Sequence, residues 1–121
     1  MARILIIDDN PEVLSTYGRI LEHAGYEIVF AADGNEGIRV FREKSPDLVI
    51  TDIVMPEKEG LETIGELKRD FPDVKIIAIS GSGKLNSGYY LKAAKQIGAE
   101  YSLAKPIERE ELLETVRECL I

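Results

Sequence analysis

Five polar residues that could take part in chemistry come soon after short apolar segments of the sequence. They are Asp8, Asp9, Asp52, Ser80 and Lys105. If the fold brings them together, the three carboxylates repel one another, and their pKa values rise unless positive charge compensates. A divalent cation and the Lys105 ammonium would compensate. Carboxylate oxygens suit Mg²⁺, which typically binds one or two of them together with water and phosphate oxygens.

The same residues include the groups that phosphoryl transfer requires. A carboxylate such as Asp52 can act as a nucleophile toward phosphorus and form an aspartyl phosphate. This reaction depends mainly on positioning and on neutralisation of charge. The cation, Lys105 and the Ser80 hydroxyl could meet those needs at the three phosphoryl oxygens.

The apolar segments themselves predict strands. They are rich in β-branched residues and mostly continuous rather than alternating, which is typical of strands buried on both faces of a parallel sheet. They lie at residues 4–7, 28–30, 48–50, 76–79 and 101–104.

Helical patterns separate these segments. Asn10 and Pro11 are a plausible cap and first residue for one helix, and Gly25 is a plausible end. Asp33 followed by Glu36 suggests a capping pair for the next helix. The apolar stripes at helical spacing are 13–24, 38–41, 61–71, 90–97 and 112–120.

Five successive strand–helix units predict a parallel sheet with helices on both faces. In such sheets the ligand site lies beyond the carboxyl ends of the strands. Taken singly, Asp8 and Asp9 could cap a turn, Asp52 could be a solvated turn residue, and Lys105 could be a surface lysine. Their predicted convergence at one edge favours a functional site.

Composition narrows the class of protein. A length of 121 residues fits one domain, and no apolar run is long enough to span a membrane or serve as the core of a secretory signal. The net charge of −7 argues against nucleic-acid or anionic-membrane binding. The single cysteine, Cys119, cannot form an internal disulfide, which fits a reducing, cytoplasmic location. The single histidine, His23, argues against metal sites or catalytic triads that depend on histidine.

The sequence resembles the receiver domains of two-component response regulators over essentially its whole length, residues 1–121. The resemblance is carried by IIDDN at 6–10, DLVITDIVMPEKEG at 47–60, IS at 79–80 and GAEYSLAKP at 98–106. It implies a single receiver domain with a flavodoxin-like, doubly wound α/β fold. The expected sheet is parallel and five-stranded, in the order 2-1-3-4-5, with five helices on its two faces.

The resemblance also implies a Mg²⁺ site. In this sequence Asp8 and Asp9 match the acidic pair at the metal, and Asp52 matches the phosphoacceptor, which is also a ligand. The residue at the position of Val54 would offer its backbone carbonyl.

The remaining site residues follow the same pattern. Ser80 matches the hydroxyl that responds to phosphorylation, and Lys105 matches the lysine that contacts the phosphoryl group. The bond from Lys105 to Pro106 is expected to be cis, a geometry seen almost only before proline.

The implied function is signalling rather than enzymatic turnover of a substrate. A sensor histidine kinase or a histidine phosphotransfer protein would donate the phosphoryl group to Asp52, and the domain would catalyse its own phosphorylation and dephosphorylation. Phosphorylation would change the face formed by the fourth helix, fifth strand and fifth helix. A downstream protein or an output domain would read that face, without membrane or direct nucleic-acid binding.

Two features depart from the family pattern. An aromatic residue usually lies three positions before the lysine, but here that position is Ser102, and the neighbouring Tyr101 should face the opposite side of the strand. The segment from Ser80 to Gly98 is unusually long and rich in Gly and Ser, which suggests a mobile loop or a delayed fourth helix.

Three other functions remain open on the sequence. A receiver-like interaction module that works without phosphorylation is kept open by Ser102, although the intact acidic pair, acceptor and lysine argue against it. A Mg²⁺-dependent phosphohydrolase would typically need an acid two residues after the nucleophile, where Val54 stands. A flavodoxin-like nucleotide binder would need a phosphate-binding loop where Asp8 and Asp9 would repel phosphate.

Overall fold

Five strands alternate with five helices in the computed structural model, which describes residues 2–53, 60–81 and 87–121. For residues 87–91 it describes the backbone alone. The strands are β1 (Arg3–Ile7), β2 (Glu27–Ala31), β3 (Leu48–Asp52), β4 (Lys75–Ser80) and β5 (Tyr101–Ala104). The helices are α1 (Pro11–His23), α2 (Gly34–Lys44), α3 (Gly60–Asp70), α4 (Ser87–Ile97) and α5 (Arg109–Cys119).

The strands form one parallel sheet in the order β2-β1-β3-β4-β5. The chain runs from β1 outward to β2 and then crosses to the other side of β1 to form β3. The carboxyl ends of β1 and β3 are therefore adjacent at the point where the direction of winding reverses, which is where such sheets usually bind ligands. The predicted fold and strand order are confirmed.

Two apolar cores lie on opposite faces of the sheet. On one face Leu21 of α1 and Val116 of α5 pack with Ile6 and Ile50. On the other face the apolar sides of α2, α3 and α4 pack against alternate residues of the same strands, such as Leu5. Because both faces are covered, the strands need continuous apolar sequences, as these segments have.

The helix ends follow from local sequence. Asn10 caps α1 by accepting a hydrogen bond from the backbone N–H of Glu12 at 2.9 Å, and Gly25, with a φ of +100°, follows the end of that helix. Asp33 caps α2 by accepting from the backbone N–H of Glu36 at 2.8 Å. Both N-terminal caps were predicted from the sequence, and they define where α1 and α2 begin after the preceding strands.

The fourth helix begins late, at Ser87, seven residues after the end of β4 at Ser80. The expectation of a delayed helix is therefore confirmed. The expectation of a mobile loop concerns residues 82–86, which lie outside the described residues.

The longest helix described, α1, has 13 residues, whereas a bilayer-spanning helix needs about 20. Within the described ranges, no helix combines the length and apolar character required to cross a membrane.

Candidate functional site

Three carboxylates meet at the carboxyl edge of the sheet. Asp8 and Asp9 follow β1, and Asp52 is the last residue of β3. One oxygen of each carboxylate lies within 4.8 Å of the others. We call these three residues the acidic cluster.

The acidic cluster is mostly removed from solvent but open on one side. Asp8 is fully buried and Asp52 is 5% exposed, whereas Asp9 is exposed. Buried carboxylates this close are unfavourable without compensating positive charge. Their all-oxygen donor set and their separation fit a divalent cation such as Mg²⁺. Val54, predicted to offer a backbone carbonyl, lies outside the described residues.

Lys105 supplies the positive charge that the structure shows at this edge. Its Nζ donates hydrogen bonds to Asp8 Oδ2 at 2.9 Å and to Asp52 Oδ2 at 3.3 Å. It follows β5, and the peptide bond to Pro106 is cis, as expected. One ammonium therefore links the ends of three strands.

The pKa values of the two partners respond to this arrangement. Burial raises the pKa of Asp8, and the nearby charge of Asp52 acts in the same direction, although hydrogen bonds from Lys105 and Asn10 oppose them. Burial alone would lower the pKa of Lys105, but its bond to Asp8 and the charge of Asp52 raise that pKa overall. Lys105 is therefore a fixed positive charge at neutral pH. One positive charge does not balance the neighbouring carboxylates, so a further cation would stabilise them.

Ser80 lies at the end of β4, beside the acidic cluster. It is paired in register with Ala104, and its backbone carbonyl accepts a hydrogen bond from the Lys105 N–H at 2.7 Å. The Ser80 side chain is fully buried, and its hydroxyl has no hydrogen-bond partner among the described residues. A buried hydroxyl without a partner is uncommon and costs free energy, so this group is available to a ligand oxygen.

Gly60 is a residue of the site whose role the sequence did not reveal. It begins α3, and a Cβ atom added to it would lie 2.1 Å from the backbone oxygen of Asp52 and 2.4 Å from the Cα of Ile53. The absence of a side chain therefore lets α3 start against the end of β3. The glycine closing the 47–60 motif was visible in the sequence, but its contact with Asp52 depends on the tertiary fold.

Ser102, which stands where the family usually has an aromatic residue, lies on the side of β5 that faces α2, α3 and α4. Tyr101 and Leu103 pack in the core on the side of α1 and α5. Ser102 pairs with Ala78, which belongs to the opposite core, so it faces the side of α2, α3 and α4. A small polar side chain therefore occupies the position where the family usually has an aromatic ring.

The other two residues considered in the sequence lie away from the acidic cluster. His23 is exposed at the end of α1. Cys119 is buried in α5, and burial raises the pKa of its thiol to about 11. A thiol with so high a pKa is a poor nucleophile at neutral pH, which supports a packing role.

The parallel sheet and its edge define an α/β protein with an acidic cluster that could hold a divalent cation. The sequence profile described as the response regulator receiver domain matches residues 4–117. The chain therefore belongs to the receiver-domain family of two-component response regulators, as its sequence motifs predicted.

Individual relatives agree with this assignment. Protein PilH of Pseudomonas aeruginosa is 34% identical over 120 residues, covering 99% of this chain and 98% of PilH. The transcriptional regulatory protein GlrR of Escherichia coli is 32% identical, and the match covers 98% of this chain but only 26% of GlrR. The chain therefore spans about a quarter of that larger regulator.

Solved structures show the same architecture. The crystal structure of a CheY-like receiver domain protein from Methanospirillum hungatei superposes with a TM-score of 0.89 at 32% identity, covering 99% of this chain and 94% of that one. Receiver domains are signalling phosphoacceptors that bind Mg²⁺ at an acidic pocket, and the acidic cluster lies at the corresponding edge.

Proposed function

We propose that Asp52 of this chain accepts a phosphoryl group from a phosphohistidine on a sensor histidine kinase or a histidine phosphotransfer protein. The observation that carries the proposal is the Lys105 ammonium, which contacts both Asp8 and Asp52 within the acidic cluster. A partly buried lysine held between two carboxylates is positioned to neutralise a third anionic group arriving beside them.

Asp8, Asp9 and Asp52 would hold Mg²⁺, together with the backbone carbonyl of Val54. When bound, the ion supplies charge neutralisation at the phosphoryl oxygens. This role fits Asp8, whose pKa is raised mainly by burial, because a bound cation would stabilise its buried negative charge.

The reaction requires little covalent chemistry from the protein. The Asp52 carboxylate attacks phosphorus, a phosphorus–oxygen bond forms, and the phosphorus–nitrogen bond of the donor breaks. A donor phosphohistidine that is protonated on its other ring nitrogen leaves as a neutral imidazole, so this chain supplies no proton. Lys105 contacts one phosphoryl oxygen in place of its contact with Asp52. Most of the rate gain comes from positioning these groups before the donor arrives.

The Ser80 hydroxyl would report the new group. It is buried and unpartnered among the described residues, so a phosphoryl oxygen would give it the hydrogen bond it lacks. A ligand shifts a conformational equilibrium only if it interacts differently with the two states, and this bond supplies such a difference. The face of α4, β5 and α5 would change and be read by a downstream protein or output domain.

The direct test uses a small-molecule acyl phosphate as donor, with Mg²⁺, followed by measurement of intact mass. We expect one added phosphoryl group on the wild-type chain and none with a chelator. Asp52→Asn should remain unmodified, because the amide is a poor nucleophile. Asp73→Asn is the matched control, since Asp73 is exposed at the opposite edge of the sheet, and it should be modified normally. Loss of modification in Asp73→Asn, or its persistence in Asp52→Asn, would contradict the proposal.

A second candidate is an interaction module that works without phosphorylation. Ser102 favours it, because in the family an aromatic ring at this position usually moves together with the hydroxyl that responds to phosphorylation, and Ser102 provides no ring. The two candidates differ in the effect of Asp52→Asn on partner binding. If the chain is a phosphoacceptor, the phosphodonor and Mg²⁺ should change the affinity of the wild type for a partner but not that of Asp52→Asn. If it is an interaction module, the wild type and Asp52→Asn should bind the partner equally, with or without the donor.

A further inference from the structure

A groove on the side of the sheet covered by α1 and α5 is lined by arginines, although the protein as a whole is acidic. It has a volume of about 320 Å³ and lies between the outer face of α1 and the first residue of α5. Its lining residues are Ser15, Thr16, Arg19, Ile20, His23 and Arg109. We call it the basic groove, and it contains no residue of the acidic cluster.

Every charged residue that lines the basic groove is an arginine. The chain carries 22 acidic and 15 basic residues, and its net charge is −7, so a lining without a carboxylate stands out. A site that concentrates one sign of charge attracts ligands of the opposite sign.

The two arginines that line the groove also lack an acidic partner within the described residues. Arg3, Arg39, Arg42 and Arg69 each pair with a carboxylate at 3.0–3.5 Å; the pairs are Arg3–Glu27, Arg39–Glu36, Arg42–Asp70 and Arg69–Asp70. In the described part of the chain, Arg19 and Arg109 form no ion pair, and Arg19 has only a 3.5 Å contact to the Ser15 hydroxyl. Their guanidinium donors are therefore open to an external anion.

The other lining residues add hydrogen-bond donors and an apolar contact. Ser15 and Thr16 lie one helical turn before Arg19 and Ile20, and His23 lies one turn after Arg19, so all face the same side of α1. Guanidinium groups bind phosphate and carboxylate oxygens in a two-pronged geometry that lysine cannot reproduce. The half-buried Ile20 offers an apolar surface beside them.

We propose that the basic groove binds a small organic phosphate, with its phosphoryl group on Arg19 and Arg109 and its organic part against Ile20. The volume supports this size, since it lies at the low end of pockets for small organic ligands and exceeds what a phosphate ion fills. The inference is independent of the proposed phosphorylation of Asp52, because the two sites share no residue.

The test is calorimetric titration with phenylphosphonate, which carries the phosphate-like dianion and an apolar ring and cannot transfer a phosphoryl group. A chelator keeps metal from the acidic cluster. We expect saturable binding that is roughly tenfold tighter than that of inorganic phosphate, and no binding of phenol. Equal affinity for inorganic phosphate would overturn the assignment of an organic ligand.

Substitutions locate the binding. Arg19→Gln and Arg109→Gln should each weaken phenylphosphonate binding by roughly tenfold, because each removes a charged hydrogen-bond donor. Arg117→Gln is the matched control: Arg117 is exposed on α5, forms no ion pair within the described ranges, and lies outside the groove. It should bind like the wild type. Absence of binding at millimolar ligand, or equal weakening by all three substitutions, would overturn the proposal.

Discussion

Lys105 stabilises carboxylates that would otherwise repel one another. Its Nζ lies 2.9 Å from Asp8 Oδ2 and 3.3 Å from Asp52 Oδ2, and its own side chain is only 15% exposed. At the residue scale the site therefore contains one fixed positive charge beside three carboxylates. This imbalance explains why a divalent cation should bind at the acidic cluster.

Replacing Lys105 by alanine should remove charge neutralisation without unfolding the domain. We expect Lys105→Ala to slow phosphorylation of Asp52 by roughly a hundredfold or more, the usual effect of losing one group that stabilises developing charge. Time courses of intact mass with a small-molecule donor measure the rate, and circular dichroism checks the fold. A near-normal rate combined with a large loss of thermal stability would instead identify Lys105 as structural.

Position 60 should not tolerate even the methyl side chain of alanine. A Cβ there would overlap the backbone of Asp52, so Gly60→Ala should move Asp52 and cost about 2 kcal/mol of stability. Gly65→Ala is the matched control on the same helix, because its Cβ would meet only Ile97 Cγ2 at 3.7 Å. That substitution should raise stability by about 0.5–1 kcal/mol. Denaturant unfolding of both variants measures the difference, and equal effects would refute the close approach.

At the scale of elements, a partly exposed ion pair connects α3 to the strands that follow it. Lys68 Nζ donates to the Val74 carbonyl at 2.6 Å and to Glu100 Oε2 at 2.8 Å. The other oxygen of Glu100 accepts a hydrogen bond from the Ile76 N–H at 2.8 Å. One carboxylate therefore links the end of α3, the start of β4 and the turn before β5. These links lie at the sheet edge opposite the acidic cluster.

Removing that carboxylate should destabilise the domain more than removing an ordinary surface charge. We expect Glu100→Ala to cost about 1–3 kcal/mol, because the Ile76 N–H and the Lys68 ammonium both lose an acceptor. Glu43→Ala is the control, since Glu43 forms only an exposed pair with Arg39 and should cost at most about 0.5 kcal/mol. Chemical denaturation gives both values, and similar losses in the two variants would contradict this account.

At the scale of the whole molecule, most of the architecture was predictable from sequence. Continuous apolar segments, helix caps such as Asn10, and alternation of strands with helices specify a parallel sheet with both faces covered. The convergence of Asp8, Asp52 and Lys105 followed, because parallel strands end at the same edge. The contact of Gly60 with Asp52 did not follow, because it depends on the angle at which α3 meets β3.

The acidic cluster should lower the stability of the metal-free protein. Folding raises the pKa of Asp8 above its ordinary value of 3.8, so the folded state favours the protonated form. The stability from this group is complete below the unfolded pKa and is lost as pH rises through the folded pKa. Asp8→Asn should therefore raise the melting temperature at neutral pH by roughly 4 °C, which corresponds to about 1 kcal/mol.

A matched comparison separates this effect from a general change in charge. Asp73→Asn removes an exposed carboxylate at the other edge and should leave the melting temperature nearly unchanged. Mg²⁺ should stabilise the wild type and Asp73→Asn, but not Asp8→Asn. Destabilisation by Asp8→Asn, or equal Mg²⁺ effects in all three proteins, would contradict the electrostatic account.

The central claim is that Asp52 is the residue that receives the phosphoryl group, and direct mapping of the modified residue tests it best. Borohydride reduces an aspartyl phosphate to homoserine, and peptide mass spectrometry then locates the altered residue. After incubation with donor and Mg²⁺, we predict homoserine at position 52 and at no other aspartate, including Asp8 and Asp9. Homoserine at either of those positions, or a phosphorylated protein with position 52 unchanged, would contradict the account.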